Sequence, residues 1–211
     1  HFGWNACSAA LCPSAPRPHV ERRYLVVPGL KSSRVYVLDV KDDPRSPKIV
    51  KTIEADELTA KTGYSRPHTS HCGPDGVFLT CIGGPEGDDD GPGGIALLDH
   101  TSFDVLRDWE CDRGPQHFHY DAWWHLNQNV LISSEWGSPS MIENGGVPEL
   151  LLGGKYGHAL HFWDLADQYG NVGDYARAVE AGERALAIGE RLDDFATRVV
   201  ATARLGRVHH A

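Results

Sequence analysis

The chain has 211 residues, enough for one large or two small domains, and its 41% hydrophobic and 23% charged content is that of an ordinary folding sequence. With 29 acidic against 20 basic side chains the net charge is −9, and no basic block is longer than Arg22-Arg23, which excludes a phosphate-tracking nucleic-acid surface. No apolar run approaches the length of a membrane span and no charged-then-apolar leader opens the chain, so a soluble protein of the cytoplasm or periplasm is expected.

The first residues, His1-Phe-Gly-Trp-Asn5, read as the middle of a structured region, and residues before His1 are expected to be missing. Strand patterns follow at Tyr24 to Val27, Arg34 to Asp39, Val77 to Cys81 after the turn Pro74-Asp-Gly76, and Gly94 to Asp99. Three more run from Phe103 to Trp109, Val130 to Ser133 and Ala159 to Asp164. Each is short, β-branched or aromatic, and bounded by turn formers. Three of the strands run directly into an aspartate, at Asp39, Asp99 and Asp164, at nearly equal intervals. Repeated antiparallel sheets of this kind are the pattern of a β-propeller, with a β-sandwich as the second architecture that fits. The fold class is thus mainly β, a partial propeller of two to three blades, whereas a closed ring takes about 4–8.

From residue 166 onward proline disappears and Ala, Arg and Glu dominate, which sets a domain boundary between 1–165 and 166–211. Ala166, Tyr169, Tyr175, Ala178 and Ala185 around the turn at Gly173 resemble a tetratricopeptide repeat, a helical hairpin that buries its apolar face against neighbouring repeats. That resemblance implies a protein partner docking through the C-terminal helices. It also supports an alternative reading, a helical-repeat interaction module carrying a β-propeller remnant.

Twelve histidines, and five cysteines at positions 7, 12, 72, 81 and 111, direct attention to metal or thiol chemistry. The odd cysteine count argues against a fully paired disulfide framework, and Cys7 and Cys12 are too widely spaced for a Cys-x-x-Cys redox pair. The densest polar cluster is Arg66-Pro-His68-Thr-Ser-His71-Cys72, read as a loop in which His68 and His71 either share one metal or hydrogen-bond nearby backbone. A second cluster, Gln116 to Asp121 with Trp123, Trp124 and His125, reads as aromatic packing. His158 and His161 fall on opposite faces of a strand.

The run His1-Phe-Gly-Trp-Asn5-Ala-Cys7-Ser8 resembles the His-x-Gly-Trp-Asn-x-Cys-Ser block of the selenium-binding protein family, whose bacterial members include copper-dependent methanethiol oxidases. The likeness continues through Leu25-Val-Val-Pro28, Ser32 to Asp39, His68-Thr-Ser-His-Cys72, Leu97-Leu-Asp99, Tyr120-Asp121, Ile132-Ser-Ser-Glu-Trp136 and Trp163-Asp164. It implies a fragment of a seven-bladed propeller, a copper cofactor with selenium as a second ligand, and a small thiol substrate. The implied metal ligands are His1, His68 and His71; the implied reaction turns methanethiol, dioxygen and water into formaldehyde, hydrogen sulfide and hydrogen peroxide. The family's Cys-Ser-Ser-Cys stands here as Cys7-Ser-Ala-Ala-Leu-Cys12, and the later blades have no counterpart. The chain alone is therefore expected to be incomplete and inactive.

Overall fold

The computed structural model describes residues 1–8, 19–85 and 90–165, with a few single positions between 168 and 190. Eleven strands form three sheets among the described residues. In the first, β1 (Gly3–Trp4), β2 (Tyr24–Gly29), β3 (Arg34–Asp39) and β4 (Lys48–Ile53) lie side by side in chain order, each antiparallel to the next. The second repeats the plan with β5 (Ser65–Cys72), β6 (Val77–Gly83), β7 (Gly94–Leu98) and β8 (Val105–Asp108). The third has the order β11 (Leu160–Asp164), β10 (Val130–Ser134), β9 (Asp121–His125).

The described residues fall into two compact units, one of 1–110, 114–122 and 134–160, the other of 111–113, 123–133 and 161 onward. The first and second sheets belong to the first unit and share one core, in which Val26, Val37, Ile53, Leu79 and Leu98 have no exposed surface. Every residue of β6 and β7 is buried, which explains why both strands read as continuous apolar runs rather than alternating ones. The helix α1 (Ala55–Thr62) sets Leu58 into the same core and ends at Gly63, whose φ of 73° is the left-handed cap conformation that glycine adopts without penalty.

The strand pattern of the sequence recurs in the structure with small shifts of boundary. Three short helices connect strands within the β region, α1, α2 (Pro139–Ile142) and α3 (Pro148–Leu152). The tetratricopeptide-like segment expected over 166–211 lies outside the described residues, single helical positions apart.

β1 is only two residues long, and its placement rests on Asn5, which is 2% exposed. The Asn5 side-chain amide donates to the carbonyls of Glu21 and His100, both at 3.1 Å. Its oxygen accepts from the backbone N–H of Arg23 at 3.1 Å and of Tyr24 at 3.0 Å. All four bonding positions of the amide are filled by main chain, so its removal strands several buried polar groups at once. An Asn5→Ala variant is expected to lose about 3 kcal/mol of stability in urea denaturation. A loss below about 1 kcal/mol would show that these groups find other partners.

Candidate functional site

The segment 65–72 is a strand rather than the expected loop. β5 pairs along its length with β6, which supplies the backbone partners that its own Pro, Ser, Thr and His content does not advertise. The ladder is broken once: Pro67 faces Cys81 and Thr69 faces Thr80, leaving His68 as the extra residue of a β-bulge. In a regular strand, positions 68 and 71 would point to opposite faces. The inserted residue cancels that alternation, and His68 and His71 meet consecutive residues, Tyr120 and Asp121.

His68 is held from several sides. Its Nδ1 lies 3.2 Å from the Tyr120 carbonyl, which accepts from it in the tautomer that leaves Nε2 as the lone-pair nitrogen of the neutral ring. The Thr69 hydroxyl lies 2.8 Å from the same Nδ1. The Tyr120 carbonyl also accepts from the Thr80 hydroxyl at 3.0 Å, while Thr80 Oγ1 takes the Thr69 N–H at 3.1 Å in place of a ladder bond at the bulge. Burial holds the His68 imidazole below its ordinary value, so it is neutral at pH 7.

His1 completes a pair. Its ring stands edge-on to that of His68 with centroids 5.3 Å apart, and its backbone nitrogen donates to the His68 carbonyl at 2.7 Å. The preceding strand can come this close because position 3 is glycine: a Cβ there would lie 1.9 Å from the Ser70 carbonyl oxygen. Beyond His68 the ring of Tyr120 lies 4.5 Å away, and Trp136 stands edge-on to Tyr120 at 5.0 Å. The histidine pair therefore borders an aromatic wall.

His71 is directed elsewhere. Its Nε2 donates to Asp121 Oδ1 at 2.7 Å, and the same oxygen accepts the Ala122 N–H at 2.8 Å. Burial works to raise the Asp121 carboxyl, but the hydrogen bond and charge of His71 outweigh it and hold Asp121 below the usual carboxylate value. Thus the structure brings His1 and His68 together and places His71 on a carboxylate. Among the described residues no group of three or more His, Cys, Asp and Glu side chains converges as a metal site.

Of the remaining candidates, His119 is fully buried with Nδ1 bonded to Gln116 at 2.9 Å, and His161 lies beside Trp163. The Gln116 to Asp121 run thus does more than pack: it supplies the Tyr120 carbonyl and the Asp121 carboxylate. Cys7 and Cys72 form a disulfide across 65 residues, so the cysteines of the chain are in part paired. Cys81 and Cys111 remain as thiols; Cys81 is buried, which pushes its pKa well above the ordinary value. Cys12 lies outside the described residues. No helix among the described residues is long and apolar enough to cross a membrane.

This arrangement sits on blocks that residues 1–186 share with the family described as 56kDa selenium binding protein (SBP56). The chain belongs to that family. It is 43% identical over 165 residues to a methanethiol oxidase of Danio rerio, covering 78% of this chain and 35% of that one. Selenium-binding protein 2 of Mus musculus is 40% identical, over 78% of this chain and 34% of its own length. The X-ray structure of a hypothetical selenium-binding protein from Sulfolobus tokodaii matches with a TM-score of 0.72 and 53% identity, covering 80% of this chain and 36% of that one. The chain thus spans about a third of the length of the curated relatives it matches. The family match continues to residue 186, past the boundary set at 165, and nothing in these comparisons supports a tetratricopeptide end.

The Asp121 to His71 bond gives a pH test. Because the folded carboxyl titrates below its unfolded value, its contribution is complete above the unfolded pKa of about 4 and is lost as pH falls through the lower folded value. An Asp121→Asn variant should be less stable than the parent at pH 6, and the difference should close as the pH is lowered through the folded value of the carboxyl, below its unfolded one. A difference that persists unchanged at low pH would show that the pair does not titrate as described.

Proposed function

We propose that this chain is part of a methanethiol oxidase of the selenium-binding family, and that His1 and His68 are two of the imidazoles that hold its copper. The observation carrying this reading is the histidine pair itself, two rings at 5.3 Å, one of them with Nδ1 against the Tyr120 carbonyl, the arrangement that leaves Nε2 to act as the donor. Imidazole is a suitable ligand for copper, and a backbone carbonyl on the second nitrogen is the usual means of orienting one. The fit is that of half a site: two donors fall short of the set that would hold copper against water, and His71 is engaged by Asp121.

When bound, copper supplies redox chemistry that couples oxidation of a thiol to reduction of dioxygen. The chain's own residues do the positioning. The Tyr120 carbonyl and Thr69 hydroxyl fix the His68 ring, and Gly3 lets the strand carrying His1 approach. The Tyr120 and Trp136 rings offer an apolar wall suited to a methyl group. The four-stranded antiparallel sheets have the form of propeller blades, and the remaining ligands and walls belong to blades beyond those described.

On this reading the chain alone binds copper weakly and does not turn over methanethiol. Elemental analysis after dialysis should find well under one copper per chain, and no hydrogen peroxide should be released on methanethiol. Residual copper affinity should fall about tenfold in His68→Ala, the loss of roughly one ligand. Stoichiometric copper with peroxide release would refute the incomplete reading, and copper uptake indifferent to His68→Ala would refute the site.

A further inference from the structure

A cavity of about 480 Å³ is bounded by α1, by the turn between β2 and β3, and by the start of β5. That volume falls in the range of small-molecule sites, roughly 300–1,000 Å³. Ala55, Asp56, Thr59 and Ala60 line it from α1, at the spacing of a single helix face. Ser33, Ser65 and Arg66 line the rest. None of these residues belongs to the histidine pair or to its aromatic wall.

Three features mark this cavity as built to hold something. Ser65 is 6% exposed, and its buried hydroxyl has no hydrogen-bond partner, a state that costs stability and that a ligand would relieve. Arg66 is fixed in advance: its backbone N–H and its Nη1 both donate to the Ser33 hydroxyl oxygen, at 3.0 and 3.1 Å, and its Nε donates to the Glu143 carboxylate. Because the Ser33 oxygen accepts both bonds, its own O–H remains to donate, and it calls for an acceptor. Asp56, at the first turn of α1, accepts the Glu57 N–H at 3.0 Å but is paired with no cation among the described residues.

The charges on the lining decide the class of ligand. An anion alone would gain Arg66 and the Ser33 hydroxyl but would share the cavity with the Asp56 carboxylate, and a cation alone would gain Asp56 but meet the Arg66 guanidinium. A molecule carrying both signs matches both residues. We propose that this cavity binds a free α-amino acid, its carboxylate on Arg66 and Ser33, its ammonium on Asp56, and its side chain along Ala55, Thr59 and Ala60. Thr59 already spends its hydroxyl on the Tyr64 carbonyl at 3.0 Å, so that side of the cavity offers no further charge or donor and suits an aliphatic side chain. Holding the guanidinium in place before the ligand arrives lowers the ordering cost of binding. This goes beyond the copper reading and does not rest on it.

The test titrates the full chain with L-leucine, followed by calorimetry and by ligand-observed NMR, alongside two probes that each lack one charge, 4-methylpentanoate and 3-methylbutylamine. L-leucine should bind saturably, and each single-charge probe at least about tenfold more weakly, the loss of one charge-assisted contact. Asp56→Asn should weaken L-leucine by about tenfold, whereas Asp42→Asn, at an exposed aspartate remote in sequence from the cavity residues, should leave it unchanged. Ser65→Ala separates binding from folding: it should weaken L-leucine while thermal unfolding is unchanged or raised, since the hydroxyl has no partner to lose. No saturable L-leucine binding would overturn the proposal. So would 4-methylpentanoate binding as tightly as L-leucine, which marks a plain anion site, or L-leucine binding indifferent to both Asp56→Asn and Ser65→Ala. L-leucine binding retained in His68→Ala keeps this result separate from the fate of the histidine reading.

Discussion

Asn5 satisfies four backbone groups from two separate stretches of chain, 21–24 and His100, and the position of the candidate site follows from that one side chain. A two-residue strand has too few ladder bonds to hold itself. With Asn5 fixed, Gly3 is pressed onto the Ser70 carbonyl, His1 reaches the bulge of β5, and Cys7 arrives opposite Cys72. A buried amide whose every donor and acceptor is used behaves as a rivet: it has one geometry, and alternatives leave polar groups without water or partner.

The large elements were legible because their composition and their surroundings agree. Val77 to Gly83, apolar but for Thr80, and Gly94 to Leu98 lie buried throughout, so a single window of sequence carries the answer. β4 was not legible: as an edge strand it exposes Ile49 and Val50 and shows no clean alternation. β5 was misread because its strand character comes from the partner strand β6 and not from its own residues. At the site, the likeness to a known family singled out His1, His68 and His71; the structure pairs only the first two, through the close approach at Gly3 and a bulge at His68, and one extra residue in a ladder leaves no compositional mark. Asp121 stood inside a recognised polar run, but its partner His71 is 50 residues away, and a long-range hydrogen bond has no local signature.

The disulfide bears on stability. Closing a loop of 65 residues contributes up to about 4 kcal/mol in the chain-entropy view, a large share of the stability of a small domain. The same ends are also positioned by Asn5 and by the β5 ladder. In that view the effect of the bond falls on the unfolded chain, whose freedom it restricts.

The bulge at His68 bears on how such a site could arise or disappear. Because this residue is surplus to the pairing of β5 with β6, a chain lacking it would join Pro67 to Thr69 and run an unbroken ladder past Cys81 and Thr80. The sheet would be tidier, the ring that meets His1 would be gone, and His71 would keep its face. Loss of that one residue would thus remove the histidine pair while leaving the pairing of β5 with β6 in place. Comparing the length of this strand among relatives would reveal more about which of them keep the histidine pair than their overall similarity does.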